Sequence, residues 1–146
     1  MRPRRLELEG FGAFRAPAEV DFADVELVAL VGATGAGKST LIDAITFALY
    51  GSVARYDDRK IVAPVINQLS TRARVQLEFS LGDATYTVAR VVQRTSRGAS
   101  TKEARLERDG EPLAADARTV TAEVTRLLGL DVDQFNRTVV LRTTRT

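Results

Sequence analysis

The chain of 146 residues contains no cysteine and no histidine. The first absence excludes disulfides and thiolate metal sites. The second removes the usual general base of enzymes and a common zinc ligand. Chemistry in this chain must therefore rest on carboxylates, hydroxyls, amines, guanidinium groups or the backbone.

Long hydrophobic runs are also missing. The longest apolar stretch near the start, 27–31, is far shorter than the roughly 18 residues of a membrane span. No charged-then-apolar segment of the signal-peptide type opens the chain, so we expect a cytoplasmic protein with no membrane partner. Apolar residues make up 45 %, which is enough for a packed core in one domain or part of one.

Neither sign of charge predominates, since the net charge is only +2 and acidic residues are interspersed with arginines. This balance favours a mixed solvated surface over a nucleic-acid patch. The polar segment 93–103 contains Arg94, Arg97 and Lys102, which could contact DNA phosphates. We favour a solvated, mobile loop for this segment.

Hydrophobic periodicity predicts an α/β order of elements. Residues 5–22 are expected to form a hairpin, and 27–31 a strand covered on both faces. The other predicted strands are 74–81 with its return 84–92, the small hairpin 105–108 with 111–113, and 138–141. The predicted helices are 39–50, ended by Gly51, and 116–128, capped by Asp116 and ended by Gly129, with a short helical turn after Asp131.

One glycine-rich segment carries a specific motif. Residues 32–39, Gly-Ala-Thr-Gly-Ala-Gly-Lys-Ser, match G-x-x-x-x-G-K-[ST] in full. The motif requires a buried strand before it and a helix after it, and the patterns at 27–31 and 39–50 predict both. The sequence therefore predicts a P-loop that binds a nucleoside triphosphate.

Each position of the motif has a physical reason. Glycines allow backbone conformations that turn successive N–H groups toward an anion, and the start of the following helix adds the positive end of its dipole. Lys38 is expected to reach the β- and γ-phosphates, and the Ser39 hydroxyl to bind Mg²⁺. The predicted nucleotide-binding residues are Gly32, Thr34, Gly35, Ala36, Gly37, Lys38, Ser39 and Thr40.

Hydrolysis needs more than this loop. It requires a carboxylate on Mg²⁺ at the end of a second apolar strand, and a group that orients the attacking water. No run of four apolar residues followed by Asp or Glu occurs after residue 51. We therefore expect no catalytic residue in this chain, which would be catalytically incomplete by itself.

The segment after the P-loop carries a resemblance. Residues 41–51, Leu-Ile-Asp-Ala-Ile-Thr-Phe-Ala-Leu-Tyr-Gly, together with the patterns at 74–92 and 130–141, resemble the SbcC family of DNA-repair ATPases, relatives of Rad-fifty. The resemblance covers residues 1–141 and points to the N-terminal half of the head domain. It implies an ABC-type P-loop NTPase lobe with an antiparallel β subdomain and an incomplete core sheet.

The resemblance also implies a mechanism. In this family two heads sandwich two ATP molecules with Mg²⁺, and hydrolysis drives DNA double-strand-break repair and end processing. The implied partners are the SbcD nuclease, a second head and double-stranded DNA. Among the site residues, Arg15 is the candidate for an arginine that touches phosphate in some relatives.

The end of the chain departs from the family. Where the family continues into Pro-Gln-Gly, whose glutamine binds Mg²⁺, this sequence has Arg142, Thr143 and Thr144. The signature loop and the Asp-Glu carboxylate pair are missing too. We therefore interpret 142–146 as an unpatterned tail, which indicates either a truncated or frame-shifted reading frame or a fragmentary gene model. Two alternatives remain: a nucleotide-binding remnant without hydrolysis, and the ATPase of a membrane transporter.

Overall fold

The computed structural model describes residues 1–22, 36–52 and 65–137, and for 36–40 it describes the backbone. Within these ranges lie six strands and two longer helices, followed by a short helix, α3, at 132–137. The strands are β1 (Arg2–Glu9), β2 (Ala18–Asp21), β3 (Arg72–Leu81), β4 (Ala84–Thr95), β5 (Gly98–Arg108) and β6 (Glu111–Ala114). The longer helices are α1 (Ala36–Tyr50) and α2 (Ala117–Leu128).

All six described strands form one antiparallel sheet in the order β2-β1-β3-β4-β5-β6. Its inner face follows from the period of two in each strand. Leu6 pairs with Leu77, Leu77 with Val88, and Val88 with Leu106, and all four are fully buried. This row runs across four strands, which confirms the predicted alternation and the three predicted hairpins.

The prediction of a mobile loop at 93–103 is wrong. β4 continues to Thr95 and β5 begins at Gly98, so these residues form a two-stranded ribbon with a tight turn. Hydrogen bonding between backbones holds the ribbon, and such pairing leaves no hydrophobic pattern in the sequence. Arg94 also donates to the carbonyl oxygens of Ser70, Ile66 and Asn67, which anchors the ribbon to the neighbouring segment.

The helices agree with the predicted positions except at one end. α1 begins at Ala36, three residues before the predicted start at Ser39. Residues 44–50 are all buried, as the apolar circumference predicted. For α2 both predicted caps are confirmed, because the Asp116 side chain accepts from Thr119 N and Gly129 has a φ of 69°.

Several predictions fall outside the described residues: the strands 27–31 and 138–141, the tail 142–146 and the incomplete core sheet. They stay predictions. Among the helices in the described ranges, none combines the length and apolar character needed to cross a membrane.

Candidate nucleotide-binding site

The structure describes part of the predicted nucleotide site. The last five of its residues, Ala36, Gly37, Lys38, Ser39 and Thr40, are the first five residues of α1. The other three, Gly32, Thr34 and Gly35, lie outside the described residues. Residues 36–40 are thus brought together at one helix end, while the loop before them stays a prediction.

The N-terminal end of α1 has the electrostatic character that a phosphate needs. The first four N–H groups of an α-helix have no partner within the helix, and they carry a partial positive charge. α1 has no acidic residue in its first turn, so its own side chains bring no negative charge there. An anion placed at this end would therefore meet both the positive end of the dipole and amides that have no partner within the helix.

Aromatic contacts fix α1 in the core. The Phe47 ring lies 5.6 Å from the Phe11 ring, and the Tyr50 ring lies 5.7 Å from the Phe135 ring. The Tyr50 hydroxyl donates to the Leu130 carbonyl oxygen at 2.8 Å. Burial, with a smaller contribution from the Asp131 charge, raises the pKa of Tyr50 to about 12. The phenol therefore stays neutral at physiological pH.

The opposite end of α1 is held by a residue that sequence reasoning missed. Arg90, in β4, donates from Nε to the Ala48 carbonyl oxygen at 2.9 Å and from Nη2 to the Leu49 carbonyl oxygen at 3.0 Å. Its Nη2 also donates to the Thr121 hydroxyl at 2.9 Å. A usable signal existed, because Arg90 occupies an inward position in the alternation of β4, where a charge is unusual.

A cleft of about 300 Å³ opens beside this end of the helix, lined in part by Arg90, Thr101 and Arg118. The 15 residues of α1 span about 22 Å, so the cleft lies far from the phosphate-binding end. The C-terminal end of a helix is its negative end. The cleft is therefore not the nucleotide site.

The structure also locates other arginines considered from the sequence. Arg15 is exposed in the connection between β1 and β2, where its carbonyl oxygen accepts from Gly10 N. Whether its side chain touches phosphate stays a prediction. Arg94 bonds three carbonyl oxygens, which gives it a structural role. Arg97 and Lys102 are exposed on the ribbon.

Solved structures resemble the fold. The SMC head domain from Thermotoga maritima aligns with a TM-score of 0.51 at 24 % identity, over 84 % of this chain and 42 % of that chain. A second chain, from structural work on the ATP-driven dimerization and DNA-stimulated activation of SMC ATPases, aligns with a TM-score of 0.62 at 21 % identity. It covers 93 % of this chain and 84 % of that chain. The fold is therefore similar to that of an SMC head domain.

A family model described as an AAA domain matches residues 5–145, and the chain belongs to that family. The SbcC component of the nuclease SbcCD from Deinococcus radiodurans is 42 % identical over 144 residues. The probable DNA double-strand break repair Rad50 ATPase of Aquifex aeolicus is 33 % identical over 141 residues. These similarities confirm the resemblance to the SbcC family.

The relatives are much longer than the region that they share with this protein. Each alignment covers 97 % of this chain, but only 16 % of the Deinococcus protein and 14 % of the Aquifex protein. The chain thus spans less than a fifth of the length of these relatives.

Proposed function

We propose that the chain is the ATP-binding part of an SbcC-like ATPase that acts in DNA double-strand-break repair and end processing. One observation carries the proposal. α1 begins inside the G-x-x-x-x-G-K-[ST] motif, and no acidic residue follows in its first turn. The helix dipole, the motif's lysine and amides without a partner within the helix thus belong to one short segment, as phosphate binding requires.

The proposed ligand is ATP with Mg²⁺. Its phosphates would lie against the amides of residues 32–37, and the Lys38 ammonium would neutralise the β- and γ-oxygens. The hydroxyl of Ser39 would hold Mg²⁺, which balances the remaining charge. Thr40 and Thr34 complete the proposed set of contacts.

The proposed partners follow from the relatives. A component of the nuclease SbcCD is one of them, so we propose the SbcD nuclease as a partner. A second head, closing over ATP, is proposed from the likeness to SMC ATPases whose dimerization is ATP-driven. We also propose double-stranded DNA as substrate and the cytoplasm as location.

Replacing Lys38 tests the proposal directly. We expect Lys38→Ala to weaken Mg²⁺-ATP binding at least about tenfold, since a charge-assisted contact is lost. Isothermal titration calorimetry measures the affinity. Lys102→Ala is the matched control, because Lys102 is an exposed lysine in β5 and lies outside the motif. It should bind like the parent.

Two further measurements sharpen this test. Omitting Mg²⁺ should weaken binding to the parent chain, and Ser39→Ala should reduce that dependence because a proposed metal ligand is removed. Equal affinity of the parent and Lys38→Ala would disprove the proposed site.

A second candidate function is nucleotide binding without hydrolysis. It is favoured by the sequence, in which no run of four apolar residues is followed by Asp or Glu after residue 51. Both candidates share the P-loop and differ only in turnover.

A further inference from the structure

The C-terminal end of α1 lacks a cation of its own. Its last turn contains no basic residue, although carbonyl groups at that end have no partner within a helix and carry partial negative charge. β4 supplies the missing cation from a distance of more than 40 residues along the chain, since Arg90 donates to the Ala48 and Leu49 carbonyl oxygens. Thr121 of α2 adds a third contact, because its hydroxyl donates to the Tyr50 carbonyl oxygen at 3.2 Å.

We call the contacts of Arg90 with Ala48, Leu49 and Thr121 the joint. The joint requires a charged side chain to be buried, which costs free energy. Arg90 is only 2 % exposed, and no ion pair found among the described residues includes it. Burial lowers the pKa of Arg90 to about 10, so the guanidinium is still charged at pH 7. The hydrogen bonds of Arg90 offset part of that cost, because the Ala48 and Leu49 carbonyl oxygens lie at the helix end, where the helix supplies no donor. The planar guanidinium also fixes the position of both oxygens, because it holds them at the same time.

The geometry leaves little freedom along the helix axis. The Arg90 fork joins two consecutive carbonyl oxygens, and the same Nη2 joins the Thr121 hydroxyl, which holds Tyr50. Gly51 turns the chain away directly beside the guanidinium with a φ of 73°. A Cβ at this position would lie 2.8 Å from Arg90 Nη1, so the turn and the guanidinium are in close contact.

A helix of this length acts as a rod. Residues 36–50 are continuous and residues 44–50 are buried, so an axial shift at one end appears at the other. One residue of α-helix is about 1.5 Å, and hydrogen-bond geometry at a bound phosphate tolerates less than that. The joint at the C-terminal end therefore sets where the amides of residues 36–40 stand.

We propose that Arg90 is a positioning residue for nucleotide binding, which fixes α1 along its axis against β4 and α2 and so places the phosphate-binding end. This inference rests on the proposed function. It also implies the reverse effect, because linkage is reciprocal: nucleotide at one end of α1 should tighten the joint at the other.

The test compares two arginines of β4. Arg90→Met removes the joint with an apolar side chain of similar length. Arg94→Met is the matched control, because Arg94 also donates to three acceptors, the carbonyl oxygens of Ile66, Asn67 and Ser70, and none of them belongs to α1. Mg²⁺-ATP affinity is measured by calorimetry on the folded proteins, well below their unfolding midpoints.

We expect Arg90→Met to weaken Mg²⁺-ATP binding about tenfold, within the usual range of coupling between sites. Arg94→Met should bind within about twofold of the parent, since any loss of stability leaves the site in the folded molecules unchanged. Hydrogen exchange gives a second readout. Mg²⁺-ATP should slow exchange at 86–92 and 117–125 in the parent and in Arg94→Met, and not in Arg90→Met.

The outcomes separate the two proposals. If the parent binds Mg²⁺-ATP, Lys38→Ala does not, and Arg90→Met binds like the parent, the positioning role is overturned while the proposed function stands. If the parent does not bind, both fall. If Arg90→Met does not fold, Arg90→Lys and Thr121→Val decide. The first keeps the charge and loses the fork, and the second loses the contact to Tyr50. Parent-like affinity in both overturns the positioning role.

Discussion

At the scale of single residues, the backbone conformation and the close contacts at position 10 require a glycine. Gly10 follows β1 with a φ of 67°, and a Cβ there would overlap the carbonyl oxygen of Arg72. Its own N–H donates to the Arg15 carbonyl oxygen, and its carbonyl accepts from Asn67 N. These contacts join three segments around one glycine, so a side chain cannot be accommodated by a local shift.

Gly10→Ala should therefore destabilise the fold beyond the cost of a positive φ. Gly82 is the matched control, because its φ is 61° and a Cβ would meet nothing within 4 Å. We expect Gly82→Ala to cost about 1–2 kcal/mol, and Gly10→Ala to cost about 1–3 kcal/mol more because of overlap. Urea unfolding measures both. Equal losses in the two variants would contradict the steric explanation.

Sequence reasoning at this scale succeeded only where contacts are local. Gly51 and Gly129 were predicted as helix stops, because a glycine directly after a helical pattern acts on its own neighbours. The contacts of Arg90 and Arg94 were not predicted, because their partners are distant in the sequence. Ala48 lies 42 residues from Arg90, and Ser70 lies 24 residues from Arg94. Tertiary contacts bring those partners together: α1 packs against β4, and Ser70 lies just before β3, which pairs with β4.

At the scale of elements, α2 begins at a cap that the sequence predicts. The side-chain and backbone hydrogen bonds from Thr119 lower the pKa of Asp116 below its ordinary value of 3.8. A lowered pKa in the folded state means that the stabilisation is fully present above the unfolded value. It is lost as the pH falls through the folded value.

Asp116→Ala should therefore lower the urea midpoint at pH 7, and the difference from the parent should shrink below pH 3.8. Asp116→Asn is the control. An asparagine oxygen can still accept from Thr119 N, so this variant should keep most of the stability. It should lose the part of the pH dependence of stability that the Asp116 carboxylate contributes. A pH-independent loss in Asp116→Ala would show that the carboxylate does not act as the cap.

Elements with a strong hydrophobic period were predictable, and the others were not. The alternation of Val75, Leu77 and Phe79 predicts β3, because one face of that strand is buried. The ribbon at 93–103 has no such face, so its pairing was missed. The start of α1 was placed three residues late, because the glycines of the motif oppose a helix in propensity and the fold overrides them.

At the scale of the whole molecule, the two ends of α1 are specified in different ways. Its N-terminal end carries a motif that can be read from eight consecutive residues, while its C-terminal end depends on β4, α2 and the segment before α3. The motif was therefore visible in the sequence, whereas the contacts that hold the C-terminal end of α1 were not. A local motif indicates which ligand to expect, and the tertiary contacts specify where the helix after the motif lies.

Whether the 146 residues can hydrolyse ATP alone is also a property of the whole molecule. Hydrolysis requires a carboxylate on Mg²⁺ and a group that orients water, neither of which the sequence after residue 51 supplies in the expected pattern. We therefore expect the isolated chain to bind Mg²⁺-ATP without steady phosphate release, with or without double-stranded DNA. A coupled phosphate-release assay measures turnover, and Lys38→Ala gives its background. Steady release that depends on both Mg²⁺ and Lys38 would contradict this expectation, and would mean that residues of this chain supply the catalytic groups.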